Sequence, residues 1–208
     1  MNIISNCCLA ADYCKLKNIQ FPNPLMWCHI NLSDLSNLIL NYENINFNNY
    51  ELKTCNWNDV YKPKKYNKNF EHILGLQIDN LFTAWFTHYI FSNNDDIPRI
   101  NGSDVYAKNI FQYLIDAYIR RKNRMSKESP VFVFIFGRYP DETKEACINF
   151  IKRTINTKYK ILIFTHYKEL TNFNNKNIKI IYDTKEAIDF PPNVLKKYIK
   201  EIDTFIKG

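Results

Sequence analysis

The chain is poor in glycine, with 4 in 208 residues. Glycine is what lets a backbone close tightly on phosphates, so a P-loop or a Rossmann dinucleotide site is excluded for want of material. Six cysteines stand at 7, 8, 14, 28, 55 and 147, with no CxxC pair and no finger spacing, which excludes a structural zinc site. No apolar run approaches the roughly 20 residues needed to span a bilayer, and Met1 to Asn6 lacks the basic stretch and apolar segment of a leader. Neither a Ser/Gly linker nor an internal repeat divides the chain. The expectation is a soluble, cytoplasmic protein with reduced thiols and no metal.

What is present describes a folded domain. Hydrophobic residues make up 46% and aromatic residues 15%, far from the composition of disorder, and the length suits one domain with a substantial core. Lys+Arg 28 against Asp+Glu 21 gives a charge of +7, which favours anionic partners, although most lysines are scattered as on a solvated surface. The one dense basic stretch is Arg120, Arg121, Lys122, Arg124 and Lys127. It suits a substrate phosphate. No nucleic-acid reading module accompanies it, so specific nucleic-acid binding is not expected.

Periodicity sets the elements. Ile3 and Ile4 read as a short strand, and Leu9, Tyr13 and Leu16 recur at helical spacing after a tight turn through Asn6, Cys7 and Cys8. Leu32 to Leu40 reads as a second helix with Ser33 as N-cap. Tyr42 to Asn69 reads as irregular structure or short edge strands. Leu74 to Ile78 and Phe82 to Tyr89 read as strands joined by a turn at Asp79-Asn80. Ser103 is expected to cap a helix from Asp104 to about Met125. Val131 to Phe136 is a continuous apolar run, as in a parallel strand covered on both faces. Pro140 is placed to begin a helix reaching about Asn156, with Asp141 and Glu142 suiting its dipole. Two more strands, Lys160 to Thr165 and Ile178 to Tyr182, and a last helix, Pro192 to Phe205, complete the chain. The expected fold is one α/β domain over 1–208, a three-layer sandwich with a mostly parallel central sheet.

A cysteine at a strand-to-helix turn is the feature most suggestive of chemistry, because free helix N–H groups stabilise a thiolate there. Cys7 and Cys8 occupy that position, and Asn6 beside them is either an oxyanion donor or a turn former. A thiol nucleophile needs a base. Among His29, His72, His88 and His166, the better pair is His88 and His166, since each follows an apolar strand in the pattern Phe-Thr-His-Tyr. Ser5 is a further candidate.

These stretches resemble a bacterial family. Ile4 to Cys8, Phe21-Pro22-Asn23-Pro24, Gly75 to Asp79, Phe86 to Tyr89, Arg120-Arg121 with Arg124, and Lys160 to Thr165 are similar to the uncharacterised exopolysaccharide biosynthesis proteins, roughly from Ile3 to Tyr167. That group is similar in its opening to putative papain-like cysteine peptidases, and more distantly to capsule-biosynthesis acetyltransferases that bind coenzyme A. The family cysteine falls on Cys8, whereas the Asn-Cys pair of the acetyltransferases falls on Asn6-Cys7. The His-Tyr pair falls on His88-Tyr89 and the basic pair on Arg120 and Arg124. The resemblance implies an acyl (acetyl) transferase acting on a sugar or a nucleotide- or lipid-linked glycan. Catalytic roles go to Cys8 or Cys7, His88, Asn6 and His166; substrate binding goes to Ser5, Tyr89, Arg120, Arg121 and Arg124, with acetyl-CoA as donor. The alternatives are a non-catalytic sugar-nucleotide or partner-binding protein and a papain-like peptidase.

Overall fold

The computed structural model describes residues 2–56, 72–91, 99–100, 105–106, 110–139 and 141–207; for 56, 72, 87–91, 99–100, 105–106 and 110 it describes the backbone alone. A parallel sheet of four strands runs in the order β1 (Ile3–Ile4), β7 (Val131–Phe136), β8 (Lys160–Thr165), β9 (Ile178–Tyr182). A second, antiparallel sheet of five strands runs in the order β2 (Tyr50–Asn56), β3 (His72–Ile78), β4 (Phe82–Phe91), β5 (Arg99–Ile100), β6 (Val105–Tyr106). The helices are α1 (Leu9–Leu16), α2 (Leu32–Asn41), α3 (Ile110–Lys122), α4 (Lys144–Thr154), α5 (Lys185–Ile188) and α6 (Pro191–Lys207). The α/β class and the parallel sheet agree with the sequence reading, and the antiparallel sheet adds β2, β5 and β6 to the strand pair expected at Leu74 to Ile78 and Phe82 to Tyr89.

Burial explains the sheet. All six residues of β7 are buried, and they alternate between two apolar clusters as a period of two requires. Val131, Val133 and Ile135 pack with Leu9, Ala10 and Tyr13 of α1 and with Val194 and Ile202 of α6. Phe132, Phe134 and Phe136 join Leu35 and Leu38 of α2, Phe150 and Ile151 of α4, and Leu74, Leu76 and Phe86 of the antiparallel sheet. The consequence is topological. α1 leaves β1 toward one face of the sheet, and α4 leaves the neighbouring β7 toward the other.

Some boundaries differ from expectation for identifiable reasons. The turn at Asp79-Asn80 joins β3 to β4 as expected, with both residues left-handed at φ 52° and 54°, the geometry of a type I′ hairpin. Val105–Tyr106 pairs with β5 instead of beginning a helix, and α3 starts at Ile110; Ser103 lies outside the described residues. α4 starts at Lys144, because the Thr143 hydroxyl caps it by accepting the Ala146 N–H, and Pro140 lies outside the described residues. The N-cap of α2 is Asn31, not Ser33, and the carboxylate that meets this helix end comes from afar: Asp141 accepts the Leu32 N–H at 2.8 Å. No helix among the described residues is long and apolar enough to cross a membrane, and none of the six cysteines is in a disulfide.

Candidate functional site

Neighbouring strands whose following helices take opposite faces part their loops, and ligands of open α/β sheets collect in the crevice so formed at the carboxyl ends. Here that place lies between the Ser5 to Cys8 turn after β1 and the Gly137 to Glu142 loop after β7.

Asn6 ties the two together. Its Nδ2 donates to the Ile135 carbonyl at 2.9 Å and its Oδ1 accepts the Ile135 N–H at 3.1 Å, so a side-chain amide continues the β1–β7 ladder after the main chain has turned away. The second amide hydrogen goes to Glu142 Oε1 at 2.7 Å. Both hydrogens are therefore used, and Asn6 is not an oxyanion donor but a clamp. Glu142 Oε2 accepts the backbone N–H groups of Gly137, Arg138 and Tyr139 at 3.0, 2.9 and 3.1 Å, closing the loop into a ring around one buried carboxylate. Burial pushes its pKa up to about 7, against the pull of those donors.

The two adjacent thiols fare differently. Cys7 is buried, its N–H donates to Ser5 Oγ at 3.3 Å, and burial pushes its thiol above the ordinary value despite the nearby Arg138 charge. Ser5 is buried as well and spends its hydroxyl on Cys7, so neither side chain is exposed. Cys8 is half-buried at the start of α1, where its carbonyl accepts the Asp12 N–H and the first-turn amides lie free of helix bonds. The Arg138 guanidinium acts electrostatically on both sulfurs and lies 5.3 Å over the Tyr139 ring. Cys28 approaches the same pair, but it is buried, donates to the Leu25 carbonyl at 2.8 Å, and burial raises its pKa.

The histidine brought to this turn is His29, placed below His88 and His166 by sequence. Its Nδ1 lies 3.2 Å from the Asn6 carbonyl and its Nε2 3.0 Å from Asn31 Oδ1, while its ring meets that of Tyr139 at 3.8 Å. Burial lowers its pKa to about 4, partly offset by Asp141. A neutral ring donates from Nδ1 to Asn6 and accepts at Nε2 when the Asn31 amide turns its NH2 inward. His29 is thus a fastening and not a base.

His166 follows β8, two strands from β1, which sets it roughly 10 Å from the cysteine turn at ordinary strand spacing. That is too far for a hydrogen bond to Cys8, yet within reach of a ligand lying across the end of β7. Its ring covers Gly137, whose φ is 93°: a Cβ there would fall 2.2 Å from Cε1 and 2.6 Å from Nδ1. His88 and Tyr89 lie in β4 of the antiparallel sheet, where the register shifts between Leu74↔Phe86 and Ile73↔Ile90, rather than after a parallel strand. Their side chains are outside the described residues.

The arginines divide too. Arg121 donates to the Met26 carbonyl at 2.9 Å and lies 5.6 Å over the Phe21 ring, pinning the segment beside β1, so its charge is structural. Arg120 and Arg124 are exposed at and beyond the end of α3. The residues that sequence reasoning missed are Arg138, Tyr139 and Glu142. The available signal was their place directly after the most apolar strand, where α/β sheets gather ligand groups. Among the described residues no group of His, Cys, Asp and Glu is arranged to hold a metal ion. No family model matches the chain, and none of the curated proteins matches it.

Proposed function

We propose that the chain is a cytoplasmic enzyme of surface-polysaccharide biosynthesis that transfers an acyl group to a sugar through Cys8. The observation that carries the reading is the contrast at the cysteine turn: Cys7 is buried, whereas Cys8 is half-buried at a helix start beside the Arg138 charge, at the parting of the β1 and β7 loops. The likeness of Ile4 to Cys8 and Phe86 to Tyr89 to the exopolysaccharide family supports the same substrate class. In the reaction, the Cys8 thiolate bonds to the acyl carbon of a thioester donor such as acetyl-CoA, and the donor's carbon–sulfur bond breaks to release its thiol. A sugar hydroxyl then attacks the Cys8 thioester, its proton passes to a base, and the ester product leaves with the thiol restored. First-turn N–H groups of α1 replace Asn6 as oxyanion donors, and His88 or His166 serves the acceptor hydroxyl.

The rival reading is a sugar-nucleotide-binding protein without chemistry, and one observation favours it: His29, the histidine fastened to the cysteine turn, is held neutral with both ring nitrogens engaged. The test is intact-mass analysis after incubation with acetyl-CoA. An acetyl adduct that persists in Cys7→Ala and disappears in Cys8→Ala is expected, together with release of free coenzyme A. If wild-type Cys8 takes no acyl group and reacts with iodoacetamide no faster than in unfolded chain, the enzyme reading is lost.

A further inference from the structure

We propose that Arg138 forms an oxyanion subsite between the β1 turn and the β7 loop, binding the phosphate or carboxylate of a sugar. The proposal rests on the site reading above and specifies the charge of its ligand.

A half-buried arginine is ordinarily matched by a carboxylate, because its desolvated charge is otherwise costly. Glu142 is the carboxylate that acts on Arg138, but both its oxygens already accept hydrogen bonds, one from Asn6 and the other from three backbone N–H groups. Among the described residues the guanidinium donates no hydrogen bond and makes no ion pair, and its only packing partner of note is the Tyr139 ring. Its fork of N–H donors is the shape that carboxylate and phosphate groups fit. The same loop is braced at three points: Glu142 on Asn6, Asp141 on the start of α2, and Tyr139 on His29. The backbone that carries Arg138 is thereby held before any ligand arrives, which lowers the ordering cost of binding.

A second observation extends the ligand beyond a bare anion. On the other side of Gly137, His166 Nδ1 is buried without a partner, one of two such side-chain atoms among the described residues. A half turn of the ring exchanges Nδ1 with Cδ2, so the nitrogen need not stay against Gly137. A hydroxyl satisfies it in either tautomer, since a hydroxyl both donates and accepts. An oxyanion and a hydroxyl separated by about the width of a strand describe a phosphorylated or carboxylated sugar.

The test is calorimetric titration of the full chain with inorganic phosphate, glucose 1-phosphate, glucuronate and glucose. The charged sugars are expected to bind at least about tenfold more tightly than glucose, and whichever of the two binds better identifies phosphate or carboxylate as the source. Arg138→Gln and Arg138→Lys should each weaken that sugar at least about tenfold, with unliganded unfolding temperatures near wild type to show that both variants fold. His166→Ala should weaken the charged sugar while leaving inorganic phosphate unchanged. Absence of anion binding, or both Arg138 variants binding as wild type does, overturns the subsite. So does loss of binding in Arg124→Gln with binding retained in Arg138→Gln. Failure of the acylation reading is distinguishable: anion binding that persists in Cys8→Ala, with no acylation of wild type, removes the enzyme and keeps the subsite.

Discussion

Asn6 donates to Glu142 at 2.7 Å across a separation of 136 residues, joining the first turn of the chain to the loop after its central strand. This contact fixes the end of β1 to β7 and closes the ring of backbone donors that presents Arg138.

Replacing Asn6 by Ala removes three hydrogen bonds and strands the Ile135 peptide groups in the core. The expected loss is roughly 2–4 kcal/mol of stability. Urea denaturation measures it, and a change below about 0.5 kcal/mol contradicts the clamp.

Two buried groups give opposite proton linkage. Glu142, raised to about 7 from an ordinary 4.5, binds more protons folded than unfolded between those values, so its contribution to stability falls as pH rises through them. His29, lowered to about 4 from 6.5, binds fewer when folded, so its contribution rises with pH over that interval. The slopes oppose each other, and wild-type stability changes little between about pH 4.5 and 6.5 on their account. Glu142→Gln should expose the rise and His29→Asn the fall. Urea midpoints across this window decide it; a Glu142→Gln variant whose stability does not climb shows that Glu142 is not the masking group.

Gly137→Ala should cost about 1–3 kcal/mol, because φ is 93° and the new methyl meets the imidazole of His166. Thermal unfolding gives the cost. The His166 ring signals should shift with it, and unchanged signals would mean that the ring does not rest on Gly137.

Arg121→Ala should destabilise by roughly 1–2 kcal/mol through the lost Met26 hydrogen bond and Phe21 contact. Binding of charged sugars should be unaffected. A variant with wild-type stability and lost binding would return Arg121 to the substrate.

Much of the fold was legible locally. Val131 to Phe136 showed itself as a doubly covered strand because six consecutive apolar residues leave no polar face, and Asp79-Asn80 showed its turn because few other residues accept left-handed backbone. The boundary of α4 was not legible, because Asp141 and Glu142 suit a helix start equally well, and two partners that hold them elsewhere, Leu32 for Asp141 and Asn6 for Glu142, lie more than a hundred residues away.

The sequence by itself determined the class, the parallel strands and a cysteine pair at a strand-to-helix turn, since each depends on residue type and short-range spacing. Only the tertiary structure decided which thiol is the less buried, that Asn6 is a clamp, and that Arg121 is tied to the Met26 carbonyl whereas Arg138, among the described residues, makes no hydrogen bond or ion pair. Those outcomes depend on which of two neighbouring residues is desolvated and on which carboxylate is already taken. Burial and hydrogen-bond satisfaction are properties of the packed chain, and no pattern along it records them.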